Sequence, residues 1–233
     1  MDISTLITLQ QELQKKLQIP AQNEGYFPKT GDFLASFDVQ YVGEVGFVAI
    51  DVIRWEIENL GVFLDKQQTE VPYQAGFFAF REGIILEKSL QNLKKEVGIS
   101  PDFLLIDGHG TAHPKKMGVA SWLGIQTKTP SIGLAKETLL PFEGILGENI
   151  GDTLPIFLEK ETVGHAFRSQ ENTKPIFVST GHLISQKNAL EIVLRLRGKY
   201  RVAEPIRRAD FAARSFAKDK LEAGFIPNLH LGL

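Results

Sequence analysis

The chain has 233 residues, 43% of them hydrophobic and 23% charged, with a formal net charge of −2. That is the composition of a globular protein able to bury a large core, and it gives no global attraction to nucleic acid, so any such binding must come from local basic patches. Cysteine is absent, which excludes disulfides, thiolate catalysis and cysteine-based zinc sites.

No apolar run approaches the roughly 20 residues of a membrane span. The N-terminus, Met1-Asp-Ile-Ser-Thr5, lacks the charged-then-apolar layout of a secretory signal, so a cytoplasmic location is expected. Residues 3–17 place Leu6, Leu9, Leu13 and Leu17 on one side of a helix that Pro20 ends, and residues 20–31 read as a loop. The next stretch alternates. Phe33, Ala35, Phe37, Val39 and Tyr41 share one face of a strand, while Ser36, Asp38 and Gln40 share the other. Gly43 to Gly46 reads as a hairpin turn into a second strand (Phe47 to Trp55), with a third around Leu60 to Glu70, all three antiparallel.

Pro72-Tyr-Gln-Ala-Gly76 breaks the pattern. A long helix from about Phe77 to Val97 carries a core stripe of Leu86, Leu90, Leu93 and Val97, closed by Gly98 and Pro101. Glu82 lies one turn before Leu86 and so points inward. Phe103 to Ile106 reads as a strand buried on both faces and ending at Asp107, after which Gly108 and Gly110 allow backbone conformations and close approach that a Cβ forbids. A short helix around Lys116 to Gly124 and a buried strand from Ser131 to Lys136 follow. Residues 142–172 read as an irregular insertion with a hairpin, Thr153–Lys160 against Thr162–Arg168. Then come a strand from Pro175 to Ser179, a turn at Gly181-His182, and a helix capped by Ser185 with Ala189, Ile192, Val193 and Leu196 inward, stopped by Gly198. Pro205 starts the last helix, Arg207 to about Ala223, and the tail beyond Gly224 is expected to be loosely attached. With no repeat and no linker, residues 1–233 read as one domain, and nothing suggests an obligate dimer, so a monomer is expected.

Asp38 inside the first strand, Glu82 at a helix start and Asp107 at a strand end stand where a metal site can be built. Carboxylates without cysteine suit a hard cation, Mg²⁺ or Mn²⁺, which stabilises phosphoryl charge and acidifies a bound water. A single such acid is usually a hydrogen-bonded or capping residue. Here the strand–strand–strand–helix–strand order that carries the three is that of the ribonuclease H-like fold, an α/β mixed sheet flanked by helices. Asp51 ranks below Asp38 because its strand is more apolar. His109 and His113 have zinc-pair spacing but stand among Gly110 and Pro114, so a helical zinc site is not expected. His113 reads as a proton carrier or phosphate partner, or alternatively as a structural residue. Lys115-Lys116 follows the acidic loop and is placed to hold a phosphate strand; further basic residues fall at 195–201 and at Arg207-Arg208. Tyr73 reads as packing or as a stacking platform for a base.

Several blocks between about residues 33 and 214 resemble the endonuclease V family, the deoxyinosine 3′ endonucleases. They are Ala35-Ser-Phe-Asp-Val-Gln-Tyr41, Pro72-Tyr-Gln-Ala-Gly-Phe-Phe-Ala-Phe-Arg-Glu-Gly83, Leu105-Ile-Asp-Gly-His-Gly-Thr-Ala-His-Pro-Lys-Lys-Met-Gly-Val-Ala-Ser121, Pro130-Ser-Ile-Gly-Leu-Ala-Lys136, Pro175-Ile-Phe-Val-Ser-Thr-Gly-His182 and Glu204-Pro-Ile-Arg-Arg-Ala-Asp210. The second and third are the specific ones. The resemblance implies a ribonuclease H-like fold and Mg²⁺-dependent repair cleavage of the second phosphodiester bond 3′ to hypoxanthine in DNA or RNA, leaving 3′-hydroxyl and 5′-phosphate ends. It implies Asp38, Glu82 and Asp107 as metal carboxylates, with His113 close by and Lys136 supporting phosphate or the attacking water. Tyr73 falls in a strand-separating wedge, and Asp210 in a late position held by an acid or histidine. A backbone-lined pocket near Gly76, Gly108 and Gly110 would then press on hypoxanthine and exclude exocyclic amines.

The chain departs from the family wording at Gln74, which makes the wedge more polar, and at Ala75. Glu137 is expected to set a negative charge beside Lys136, and Trp122 stands where a histidine is common. The competing expectations are a binder of inosine-containing nucleic acid with little or no turnover, and a nuclease for branched strands.

Overall fold

The computed structural model describes residues 3–69, 71 and 76–229. In chain order the elements are α1 (Ile3–Gln14), β1 (Phe33–Val42), β2 (Val45–Arg54), β3 (Glu58–Gln68), α2 (Phe78–Val97), β4 (Phe103–Asp107), α3 (Val119–Thr127) and β5 (Ser131–Ala135). They continue with β6 (Thr153–Leu158), β7 (Glu161–Phe167), β8 (Ile176–His182), α4 (Gln186–Leu196), α5 (Glu204–Phe216) and β9 (Gly224–Pro227). The described strands form one sheet in the order β6-β7-β8-β5-β4-β1-β2-β3-β9. β1, β2 and β3 are an antiparallel meander, β4 runs parallel to β1, and β5 parallel to β4. This is the ribonuclease H-like arrangement, and no described helix is long and apolar enough to cross a membrane.

The alternation in β1 decides which side chains face which layer. Ala35 and Phe37 join Leu6, Leu13, Phe80, Leu86, Leu93 and Leu123 in a core under α1, α2 and α3. Leu34 faces the other way, with Phe103, Leu105, Ile132 and Val178 under α4 and the start of α5. Ser36 and Asp38 share Leu34's side by the period of two. Ala209, Ala212 and Ala213 let α5 lie close against Ala49, Val62 and Leu64. The expected end signals of α2 and α4 are present. Gly98 takes a left-handed conformation with its N–H on the Lys94 carbonyl, and the Ser185 side chain accepts from the Asn188 N–H.

Several boundaries differ from the sequence expectation. Gly181-His182 is not a turn but the end of β8. A Cβ on Gly181 would stand 2.3 Å from Ser131 Oγ and 2.6 Å from the Ala120 carbonyl oxygen, so the glycine serves close approach. The stretch from Gly224 to Pro227 is not loose but adds to the sheet edge against β3. α3 begins at Val119, because residues before it turn through Lys116 at φ 49. α5 ends at Phe216, short of the expected Ala223. The hairpin of the supposed insertion also extends the main sheet, through β7 against β8.

Asp51 is fully buried, and its carboxylate is met by Arg208 through Nε at 2.6 Å and Nη2 at 2.8 Å, with Asn59 Nδ2 at 3.0 Å. This forked pair ties β2 to α5. Removing one partner of a buried pair leaves an uncompensated charge and costs roughly 3–5 kcal/mol. Arg208→Ala is therefore expected to lower Tm by about 10 °C in a thermal melt, at 2–4 °C per kcal/mol for a chain of this size.

Candidate active site

Asp38 (8% exposed) rises from the middle of β1, and Glu82 (7% exposed) lies in the second turn of α2. Asp107 closes β4. Asp38 and Asp107 stand on neighbouring parallel strands, where Phe37 is level with Ile106. Burial, then the Asp107 charge, then Asp210 push the Asp38 carboxyl up to about 7, against the Gln40 amide and Lys136. Burial, then Asp38 and Asp107, push Glu82 well above the usual carboxylate range. The three acids singled out in the sequence thus share one electrostatic site, brought there by two strands and a crossing helix.

Lys136, one residue past β5, supplies the cation. Its Nζ donates to Asp107 Oδ2 at 2.5 Å and stands 4.0 Å from Asp210 Oδ1. Burial disfavours its charge, but Asp107, Asp210 and Asp38 outweigh that and raise its pKa, so it is an ammonium. Asp210 reaches the site from α5 and also holds Arg214 at 2.9 Å. Among the described residues no three His, Asp or Glu side chains stand as a ready-made metal cage. Lys136 takes an oxygen of Asp107, and Gln40 Nε2 takes Asp38 Oδ2 at 3.2 Å. The donor chemistry nevertheless fits a hard divalent cation, because three sulfur-free, mutually repelling carboxylates have one lysine between them.

Beside Asp107 a cavity of about 510 Å³ opens, lined among others by Gly76, Phe78, Gly108, His113, Val119 and Leu139. Gly108 has φ 155, a conformation reserved for glycine. Gly110 is not part of this wall. A Cβ there would stand 2.1 Å from the Thr180 carbonyl oxygen, and its N–H donates to Ser179 Oγ, so it seats the loop on β8. His113 Nδ1 accepts from the Lys115 N–H at 3.1 Å, which leaves the ring proton on Nε2. Burial and Lys115 lower its pKa. His109, outside the expected site set, lines the same cavity; burial, then His113, pull it down to about 4, so it is neutral at pH 7.

Lys116 is spent on an ion pair with Glu161, whereas Lys115 is exposed and has no ion pair among the described residues. Tyr73, Gln74 and Ala75 lie outside the described residues. Glu137 is exposed and is not among the charges acting on Lys136, contrary to the expected influence. Trp122 is buried (3% exposed) against Gly83, where an added Cβ would meet its ring at 2.2 Å. It fixes α3 against the turn of α2 that carries Glu82. Sequence reading placed Arg201 only in a basic cluster. Its Nη2 donates to the carbonyls of Lys136 and Pro175, which pins the backbone of the lysine.

The sequence pattern of the Endonuclease V family matches residues 11–211. An endonuclease V of Dictyoglomus turgidum is 35% identical over 218 residues, covering 93% of this chain and 91% of the relative. The crystal structure of the Bacillus subtilis endonuclease V is 27% identical with a TM-score of 0.84, covering 95% of this chain and 96% of that one. The Ciona intestinalis endonuclease V, solved with a 24mer DNA containing an inosine followed by a ribo-adenosine, is 29% identical with a TM-score of 0.80, covering 93% of this chain and 98% of that one. An acid set with its lysine, a cavity at its side and agreement along nearly the whole chain lead to one conclusion: the chain belongs to the endonuclease V family.

Proposed function

We propose that the protein is a Mg²⁺-dependent endonuclease, with Mn²⁺ able to replace Mg²⁺, that cuts the second phosphodiester bond 3′ to hypoxanthine in DNA or RNA. The observation that carries this reading is an adjacency. A cavity large enough for a base opens at Gly108, the residue after Asp107, and Asp107 holds Lys136. The Ciona relative's inosine-containing DNA supports the same substrate class.

A divalent cation held by Asp38, Glu82 and Asp107 would supply Lewis-acid stabilisation of phosphoryl charge and a more acidic water. The chain's own contribution is positioning and charge. Lys136 meets a non-bridging phosphate oxygen with a permanent ammonium, in a partly dry site where such a contact is strong. The glycine at 108 lets backbone approach an extruded base, and a mispaired base costs little to unstack. His113 keeps a neutral ring with a proton on Nε2, so it donates to an acceptor without adding charge. Lys115 is the free surface cation beside the cavity and holds the strand by a phosphate.

The test is a strand bearing a single inosine, incubated with purified protein and Mg²⁺. A single cut is expected, giving a 5′ fragment that ends in a 3′-hydroxyl at the lesion's 3′ neighbour. A strand left whole would remove the enzyme reading and leave a binder.

At Gly108 an added Cβ would stand 3.9 Å from Val119 on the cavity wall, so there is room for it, but φ 155 strains any other residue. Gly108→Ala is expected to shift this wall and reduce discrimination of inosine from adenosine about tenfold in kcat/KM. Unchanged discrimination would sink the pocket assignment.

A further inference from the structure

A second cavity, of about 320 Å³, lies on the other side of Lys136, under the connection between α4 and α5. Lys136 and Asp210 line it together with Tyr200, Arg201, Arg207 and Arg214. It shares no lining residue with the cavity at Gly108, and the Asp107–Lys136 pair stands between the two.

Its charges are not alike. Arg207 is held by Glu204 at 3.1 Å, and Arg214 by Asp210 at 2.9 Å. Arg201 donates to the neutral carbonyls of Lys136 and Pro175, and no carboxylate pairs with it among the described residues. Its charge is therefore uncompensated. Lys199 is likewise exposed and unpaired among the described residues. Between them Tyr200 is 37% exposed, with the Arg207 guanidinium stacked 3.6 Å from its ring centroid and Lys199 Nζ at 5.0 Å. An exposed aromatic–guanidinium stack beside free positive charge is the chemistry that holds one unpaired nucleotide, base on the stack and phosphate on the cations.

We propose that this cavity is the subsite for the nucleotide on the 3′ side of the cut. The Tyr200–Arg207 stack carries its base, and Arg201 and Lys199 meet its phosphate. The assignment rests on the endonuclease reading for its direction. Hypoxanthine lies 5′ of the scissile bond, so a strand that puts its lesion in the first cavity and its scissile phosphate at Lys136 leaves through the second with its 3′ arm. The 5′-phosphate made by hydrolysis then sits beside Arg201.

Two measurements on the full chain test this. In the first, an undamaged DNA octamer with a 5′-phosphate, and the same octamer with a 5′-hydroxyl, are titrated by fluorescence anisotropy. The phosphorylated octamer is expected to bind more tightly. Tyr200→Ala should weaken both about tenfold, and Lys199→Gln and Arg201→Gln should remove the preference for phosphate. Lys199 and Tyr200 touch no catalytic group, so their variants remain informative if Arg201→Gln disturbs Lys136. In the second, inosine strands carry one abasic nucleotide, placed either just 3′ of the cut or on the 5′ arm. The abasic nucleotide 3′ of the cut should raise KM for the parent but not for Tyr200→Ala, with kcat unchanged. Octamer affinity unaltered by Tyr200→Ala and Lys199→Gln would overturn the subsite, as would a Tyr200 effect that follows the 5′ arm. A parent that binds octamer through Tyr200 yet leaves inosine strands whole keeps this strand-binding groove and sinks only the nuclease reading.

Discussion

Asp107→Ala is expected to reduce cleavage of an inosine strand by a factor of about 10³ or more, while inosine binding stays level or tightens. The asymmetry follows from charge. Losing a carboxylate removes one of three groups proposed to hold the cation, whose stabilisation of the transition state is worth several kcal/mol. The same loss frees Lys136 from its 2.5 Å bond to Asp107 Oδ2 and lessens repulsion of a phosphate strand. Asp38→Ala should behave alike. Full activity in either variant would show that the metal assignment is wrong.

A melt distinguishes this site from a merely structural cluster. A carboxyl whose pKa the fold raises favours its protonated form in the folded state. Its destabilising effect is absent below the ordinary carboxylate pKa near 4 and complete above the folded value, about 7 for Asp38. With chelator present, Asp38→Asn is therefore expected to raise Tm by a few degrees at pH 8 and by nothing at about pH 4. Adding Mg²⁺ at pH 8 should raise the Tm of the parent and not that of the variant, because a ligand of the folded state alone stabilises by mass action. A variant less stable than the parent at pH 8 would make Asp38 a structural residue.

Local chemistry was legible in the sequence. The period of two in β1 put Asp38 on the face opposite Phe37, the stripe of α2 put Glu82 inward, and the apolar run ending at Asp107 put a carboxylate at a strand end. What escaped was long-range pairing. Arg208 meets Asp51 across 157 positions, Arg201 meets the Lys136 carbonyl across 65, and the four residues of β9 are too few to show a period. Glycine misled at one position. Gly181 looks like a turn residue, yet it is small because a neighbouring side chain and backbone occupy the space of a Cβ, whereas the close approach expected at Gly110 is present against the Thr180 carbonyl. Gly76 and Gly108 combine a positive φ with room beside them, and both lie on the cavity wall.

Lys136→Met is the second large effect, an expected fall in kcat of about 10²–10³ with KM changed far less. Losing one preorganised donor to developing oxyanion charge costs that much in other hydrolytic sites. Methionine keeps the length and apolar stem, so the change isolates the ammonium. It also leaves Asp107, Asp38 and Asp210 without their shared counter-charge, so in chelator the variant should melt below the parent, the reverse of Asp38→Asn. Lys136→Arg should restore stability but not rate. A planar fork of donors can satisfy Asp107, yet it presents a different geometry to phosphate from a compact ammonium. The backbone clamp from Arg201 holds position 136 in place whichever side chain it bears. A Lys136→Met enzyme whose kcat stays within threefold of the parent would confine the lysine to charge balance and leave the phosphate contact to another group.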